Sequence, residues 1–419
     1  MRILILIDCY LPGRKSGAKL IHDLGVEFLR GGHEVIILTT THEMARSFEV
    51  SLEDGLCVAR VKTKRIKGAP KLFRALREAR LSSFVWRRAR KFLTDSPADL
   101  IVFYSPTIFW GGLVRRLKTL WHVPAYLILR DIFPEWAVDV GVLKRGFIYR
   151  YFRRRAADQY DRSDIIAVQS PGDLKYFTHV AACAPHRLKV LYNWTAIREP
   201  VLALGRYRVR LGLENKVVFF YGGNLGVAQD ARNILRLASS VAGHTEIHFL
   251  LVGDGSEVSR LQRAITDNGL SNVLILPPAE QREYLSMVSE FDIGLITLDR
   301  RLASHNIPGK LLSYLYFGMP VLASVNPGSD LFELIGKGPA GFCFENGQDE
   351  KFRAAALELA GDSQLRASMG RNARALLEQT FSAGAAVQQI FKHIAEIPRP
   401  LQEPAVLRTP RGEQAWRRV

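Results

Sequence analysis

An α/β fold in two domains, each built on a largely parallel sheet, is predicted by three features of this sequence. Apolar strand-like runs alternate with amphipathic helical stretches along nearly the whole chain. That alternation pauses once, at "TAIREPVLALGRYRVRLGLENK", and then resumes. In the second series each strand runs into a loop of small or polar residues, the arrangement by which open parallel sheets present ligand-binding loops at one edge.

The first series opens with "RILILID", a near-continuous apolar strand, and "HEVIILTT" is its neighbour. Between them "LIHDLGVEFLRGG" has helical periodicity and stops on Gly31 and Gly32, so the three form a βαβ unit. Gly13 and Gly17 fall in the turn after the first strand, where glycine lets backbone approach a ligand; a turn that needs glycine for its own conformation reads the same way. "DLIVFYSP" and "PAYLILRD" are the next strands, and Arg130 and Asp131 stand where the second meets its loop. "DIIAVQSPGDLKYF" repeats strand and helix, and "LKVLYNW" closes the series. The second series contains "VVFFYGGNLG", ending on Gly222, Gly223 and Gly226, and "EIHFLLVGDG", ending on Gly253, Asp254 and Gly255. "VLILPPAEQREYLSMV" and "FDIGLITLD" follow, then an alanine-rich helical region from Lys351 to about Ile397.

The stretch "SHNIPGKLLSYLYFGMPVLASVNPGSDLFELI" carries the strongest chemical signal. Pro308 suits a first helical position, because its missing N–H costs nothing there. The amides of Gly309, Lys310 and Leu311 would then face forward unpaired, next to the Lys310 ammonium. A helix start of that kind is a seat for phosphate or diphosphate. A plain Pro-started helix with its lysine in water fits the same residues.

Composition narrows the class. With 419 residues there is chain enough for two cores. The four cysteines lie far apart, which signals neither a disulfide framework nor a zinc site and suits a reducing cytosol. No D-x-D pair occurs, so a clustered divalent-metal site is not expected. Asp8 interrupts the apolar N-terminus, which reads as a strand and not a signal peptide. The run from Leu100 to Val114 is shorter than the roughly 20 residues that span a bilayer.

Charge is the outlier. The formal net charge is +17, and the first 200 residues hold 34 Lys and Arg against 19 Asp and Glu, the remainder 24 against 22. Such a field attracts nucleic acid, acidic membrane or an anionic substrate. From Lys62 to Leu93 the pattern is basic and helical, with Arg74, Arg87 and Arg88 interleaved among Phe84, Val85 and Trp86; a second cluster starts at Lys144. A basic helix with an aromatic face suits an anionic bilayer surface. A helix with a solvated face over a core-packed one has the same pattern. The tail from Pro398 has four prolines and no periodicity, and is expected to be an extension outside both domains.

Taken together, "GRKSGAKLIHDLGVEFLRGGHEVIILT", "YGGNLGVAQDARNIL", "FLLVGDGSEVSRL" and "NIPGKLLSYLYFGMPVLAS" resemble, in order and over nearly the whole chain, the retaining family 4 glycosyltransferases. "RDIFPE" and "GNLG-x-x-QD" look like the branch that builds bacterial O-antigen and capsule, including transferases of N-acetyl-fucosamine. The resemblance implies two Rossmann-like domains facing a cleft (GT-B architecture). It places an acceptor domain over 1–197, a nucleotide-sugar domain over 198–380, a C-terminal helix over 381–397 crossing back to the first domain, and a flexible tail over 398–419. It implies a UDP-sugar co-substrate with no other cofactor, and a polyprenyl-diphosphate-linked saccharide acceptor. The anomeric configuration is retained without a metal. The enzyme would be cytoplasmic, peripheral on the inner face of the cell membrane, binding an anionic surface and no nucleic acid.

By that resemblance the donor site comprises Gly17, Gly223, Asn224, Gly226, Gln229, Gly253, Asp254, the run His305, Asn306, Ile307, Pro308, Gly309, Leu311, then Ser313 and Asp330. Arg130, Asp131 and Lys310 take the catalytic places, and Arg74, Trp86, Arg87, Arg88 and Glu135 the acceptor and membrane places. Several family positions differ here. Two glutamates are replaced by His305 and Ser313, leaving Ser329 or Asp330 for the ribose. An arginine and a lysine are replaced by Asn224 and Gln229, so more of the diphosphate falls to Lys310. A histidine is replaced by Arg130. An epimerase of the same architecture and a basic nucleic-acid-binding protein are the competing readings.

Overall fold

The computed structural model describes residues 1–13, 16–63, 79–105, 107–139, 142–179, 184–197, 206–302 and 307–397. They form two compact units, Met1–Asn193 together with the chain from Ala386, and Trp194–Ala385.

The first unit is an eight-stranded sheet of order β3-β4-β2-β1-β5-β6-β7-β8. Its strands are β1 (Arg2–Leu6), β2 (Glu34–Thr41), β3 (Phe48–Glu53), β4 (Leu56–Lys62), β5 (Leu100–Tyr104), β6 (Ala125–Ile128), β7 (Ile165–Val168) and β8 (Leu188–Val190). All adjacent pairs are parallel except β3 with β4. The inner strands are apolar throughout because helices cover both faces; every residue of β5, β6 and β7 is buried. The helices are α1 (Ser16–Arg30), α2 (Leu81–Asp95), α3 (Gly111–Trp121), α4 (Glu135–Asp139), α5 (Phe147–Asp161) and α6 (Pro171–His179). The β3–β4 hairpin was not foreseen. Its two-residue turn, Asp54 and Gly55, holds φ of 49° and 81°, the left-handed pair that a right-twisted hairpin requires.

The second unit is a six-stranded, all-parallel sheet of order β11-β10-β9-β12-β13-β14. After α7 (Arg206–Leu211) come β9 (Val217–Gly222), α8 (Arg232–Ser240), β10 (Ile247–Val252), α9 (Val258–Asp267) and β11 (Val273–Leu276). Then follow α10 (Gln281–Val288), β12 (Ile293–Thr297), α11 (Lys310–Tyr316), β13 (Val321–Val325), α12 (Leu331–Lys337) and β14 (Gly341–Glu345). Its core joins Phe219, Tyr221, Phe249 and Leu251 of the sheet to Ile234, Leu261 and Phe352 of the helices.

The chain changes units at Asn193, a few residues before the boundary set at 197. Trp194 is buried, and a bridge ties the following residue into the second unit: Thr195 N–H donates to the Phe381 carbonyl, and Ala383 N–H to that of Thr195. The alanine-rich region is three helices, α13 (Asp349–Gly361), α14 (Ser363–Leu376) and α15 (Ala383–Ala395), with a π-helical turn over Leu377–Phe381 before the last. From Ala386 onward α15 belongs to the first unit. There Phe391 meets Phe28 and His33, and the Tyr126 hydroxyl bonds His393 Nδ1 at 2.8 Å. The tail from residue 398 lies outside the described residues, as do Arg74, His305 and Asn306.

Candidate functional site

In the second unit the strand order reverses between β9 and β12, and ligands bind such sheets outside the carboxyl ends of the strands at that point. Two glycine loops meet there. A Cβ added to Gly253 would fall 1.8 Å from the Gly223 carbonyl oxygen, so only bare backbone fits. Gly223 N–H donates to the Val252 carbonyl at 2.9 Å and Leu225 N–H to that of Asp254 at 2.8 Å. Gly223, with φ of 121°, turns the chain sharply out of β9. Gly223, Asn224, Gly226, Gln229, Gly253 and Asp254 are therefore brought together at this edge.

Asn224 and Gln229 bond each other, Nδ2 to Oε1 at 2.7 Å, across Gly226. The two amides that stand where cations were expected thus brace the loop. Behind it the Thr297 hydroxyl donates to the Gln229 carbonyl at 2.6 Å, joining the loop to β12.

Lys310 begins α11, and its Nζ lies 3.2 Å from the centroid of the Tyr221 ring. That nitrogen is shut off from solvent and has no hydrogen-bond acceptor among the described residues. Burial holds its pKa well below the ordinary ammonium value. The Tyr221 hydroxyl donates to the Asn224 carbonyl at 2.8 Å, so the ring beneath the ammonium also fixes the glycine loop. Tyr314, four residues along from Lys310, donates to the Leu295 carbonyl at 3.2 Å and accepts from Gly222 N–H at 3.2 Å. Tyr284 closes the group, filling the space that a Cβ on Gly222 would take. Its phenol is pushed up to about 12 by burial, against a hydrogen bond with Ser313.

These contacts change three expectations. The helix starts at Lys310 with Gly309 as its cap, not at Pro308. Leu311 N–H donates to the Pro308 carbonyl at 3.0 Å, so it does not face forward unpaired. Ser313 is turned to Tyr284, and the Ser329 hydroxyl accepts Leu331 N–H at 3.4 Å, a local cap. Ile307 is half-buried at the approach to the helix. Asp330 stands at the N-cap position of α12 at the same sheet edge, beyond β13.

The tyrosines were missed as a group. Their one trace in the sequence is Tyr314 at i+4 from Lys310, which places both on one helix face.

In the first unit Gly17 abuts Tyr104 at the end of β5; a Cβ there would come within 2.8 Å of the ring. The Arg130 guanidinium, fully buried beyond β6, is 5.9 Å from that ring. Burial is the larger influence and lowers its pKa, with Tyr104 opposing. The Arg130 carbonyl accepts from Gln169 Nε2, and Gln169 Oε1 accepts from Asn193 Nδ2 at 3.0 Å. Asp131 lies at the rim; partial burial raises its carboxyl above the usual range, against the pull of Arg130. Gly17, Arg130 and Asp131 thus share this edge of the first sheet.

Glu135, expected at an acceptor or membrane place, is buried. Both its oxygens are taken, by Tyr149 at 3.0 and 2.8 Å and by Tyr176 at 3.0 Å, the partners a buried carboxylate requires. Trp86 is half-buried, and with Phe84 and Phe92 it lies against the core of the first unit. Arg87 and Arg88 remain exposed on α2, Arg88 stacking on Phe84 at 4.4 Å. No helix of the described residues is long and apolar enough to cross a membrane, and no group of three or more His, Cys, Asp and Glu among them could hold a metal ion.

Comparison with known proteins fits this division of the chain. Residues 17–194 match the family described as glycosyl transferase 4-like domain, and residues 206–376 that described as glycosyl transferases group 1. The probable glycosyltransferase WbjE of Pseudomonas aeruginosa is 26% identical over 270 residues, 61% of this chain and 64% of that protein. The putative colanic acid biosynthesis glycosyl transferase WcaI of Escherichia coli K12 is 26% identical over 245 residues, 56% and 60%. The chain thus spans about three-fifths of the length of these curated relatives. Among solved structures, Anabaena HepE in complex with UDP has a TM-score of 0.65 at 19% identity, covering 94% of this chain and all of that one. WaaG, a glycosyltransferase involved in lipopolysaccharide biosynthesis, has 0.56 at 16%, covering 92% and 98%. These likenesses establish the fold: two α/β domains with parallel sheets, the GT-B architecture. The family matches favour sugar transfer over the epimerase and nucleic-acid readings.

Proposed function

We propose that this chain, whose two halves match the glycosyl transferase 4-like and group 1 families, transfers a sugar from a UDP-sugar to a polyprenyl-diphosphate-linked saccharide. The donor we favour is an N-acetylated deoxyhexosamine such as N-acetyl-L-fucosamine, used in making O-antigen or capsular polysaccharide on the inner face of an anionic membrane. HepE was solved with UDP, and WcaI and WaaG carry names from cell-surface polysaccharide synthesis.

The observation that carries the reading is the Lys310 Nζ, buried without an acceptor among the described residues beside the Gly223 and Gly253 loops. Breaking the bond between anomeric carbon and diphosphate puts growing negative charge on the leaving oxygens. Groups that meet this charge only as it develops lower the barrier. A desolvated ammonium is such a group. We assign the leaving diphosphate to Lys310 and propose that no metal ion is needed. Arg130 and Asp131, on the first unit, are assigned to the acceptor. Attack by its hydroxyl on the face the diphosphate leaves would retain the anomeric configuration.

The test is release of UDP by purified protein given candidate UDP-sugars and a lipid-linked acceptor, with and without a chelator. Turnover that needs both substrates and survives chelation is expected. Conversion of a UDP-sugar without any acceptor would replace this reading with epimerisation, and loss of turnover on chelation would remove the metal-free part.

A further inference from the structure

Most large apolar side chains exposed among the described residues are scattered singly, as on any soluble surface. Three are not: Val142, Phe147 and Ile148, which are 75%, 85% and 62% exposed, fall within seven residues at the start of α5. The helix buries its other side, Tyr149, Ala156, Gln159 and Tyr160. Phe147 and Ile148 on its first turn therefore lie on the outer face, with half-buried Tyr151 on the next turn at its border with the core.

The surrounding charge is of one sign. Lys144, Arg145, Arg150, Arg153, Arg154 and Arg155 lie in this stretch, and no acidic residue occurs between Val142 and Arg155. The Arg150 guanidinium covers the Phe147 ring at 4.5 Å and that of Arg155 covers Tyr151 at 5.3 Å. Aromatic and aliphatic tips with arginines along their flanks match the layering of a bilayer surface, apolar below and anionic headgroups above. A protein partner would need acidic groups around an apolar pocket. A nucleic acid offers the charge but nothing to cover Val142 and Ile148.

We propose that Val142, Phe147 and Ile148 insert into an anionic phospholipid surface while the arginines of α5 bind its headgroups. This deepens the membrane part of the proposed function and moves the contact from α2, whose aromatic side chains are half-buried against the core, to the start of α5, whose apolar tips are exposed.

The experiment is flotation of the intact protein with vesicles of phosphatidylcholine, alone or mixed with phosphatidylglycerol, with no sugar donor or acceptor present. Binding is expected only to the mixed vesicles, weakening as salt rises. Phe147→Ser combined with Ile148→Ser should lower it by about tenfold or more, since two exposed side chains no longer enter the apolar layer. Arg150→Ala combined with Arg154→Ala should weaken binding and flatten its salt dependence. Quenching by brominated lipid should rise for Phe147→Trp above the wild-type level. Absence of binding by wild type, or equal binding by the serine variant, overturns the proposal. So does a serine variant that turns a larger species into a monomer, because a second copy would then cover the patch. UDP release with a short, water-soluble acceptor separates the two readings: the serine variant should retain it while losing turnover on vesicle-embedded acceptor. If no acceptor supports turnover, the transfer reading fails and the flotation result still decides the surface.

Discussion

At the scale of single residues, the state of Lys310 makes a prediction in which stability and binding move in opposite directions. Burial without an acceptor favours the neutral amine, so its folded pKa lies well below the value in the unfolded chain. Between those two values the unfolded state binds the extra proton, and stability rises with pH across the window. Lys310→Met removes that dependence while keeping the stem against Tyr221, so the ligand-free variant should melt no lower than wild type. A diphosphate arriving at Nζ restores the ammonium, so UDP binding at alkaline pH should take up a proton. Calorimetry in buffers of different ionisation enthalpy reads that proton, and the methionine variant should show none. Its UDP affinity should drop about tenfold to a hundredfold, the effect of losing a hydrogen bond to a charged group of roughly 1.5–3 kcal/mol. UDP affinity within twofold of wild type would remove Lys310 from the site.

At the scale of elements, what could be read in advance depended on how local the cause was. β5, β9 and β12 are visible as apolar runs because strands buried on both faces need no alternation. The glycines ending β9 and β10 are visible because backbone contact excludes every other residue. The start of α11 was misplaced by two residues: Pro308 fits a first helical turn, but its carbonyl is held by a single tight turn from Leu311. The tyrosines under Lys310 come from three elements far apart in the chain, so no window of sequence contains them. α2 is ambiguous in principle, since one basic amphipathic pattern serves a core and a bilayer equally; its aromatic residues are half-buried against the core. The docking of α15 adds a prediction of its own. His393 is sandwiched between Tyr126 and Gln389, and burial, aided by Lys189 and Lys392 and opposed by Glu396, pushes its pKa down to about 4. The unfolded value is near 6.5, so the unfolded chain binds the extra proton between the two, and stability should fall as pH drops from 6.5 to 4. Carboxylates also titrate there. The informative quantity is therefore the difference from His393→Asn, whose melting temperature should fall less steeply over that window; parallel curves would clear His393 of the effect.

At the scale of the molecule, the chain divides its work between two sheets whose strand orders each reverse once. The proposed donor residues fall mainly on the second, and Gly17 belongs to the first, next to Tyr104, over whose ring Arg130 lies. The resemblance sets Gly17 with the donor residues, while its neighbours in the fold are those of the first sheet's edge. Hydrogen exchange with UDP alone tests this division. If nucleotide is held by the second sheet, amides at 222–226, 253–255 and 309–313 should exchange more slowly, because a bound ligand suppresses local opening of the loops that hold it. Residues 16–20 and 129–135 should exchange as in the free protein, since UDP carries no acceptor. Protection at Gly17 and Arg130 without change at Lys310 would place the nucleotide on the first sheet and reverse the roles assigned to the two units.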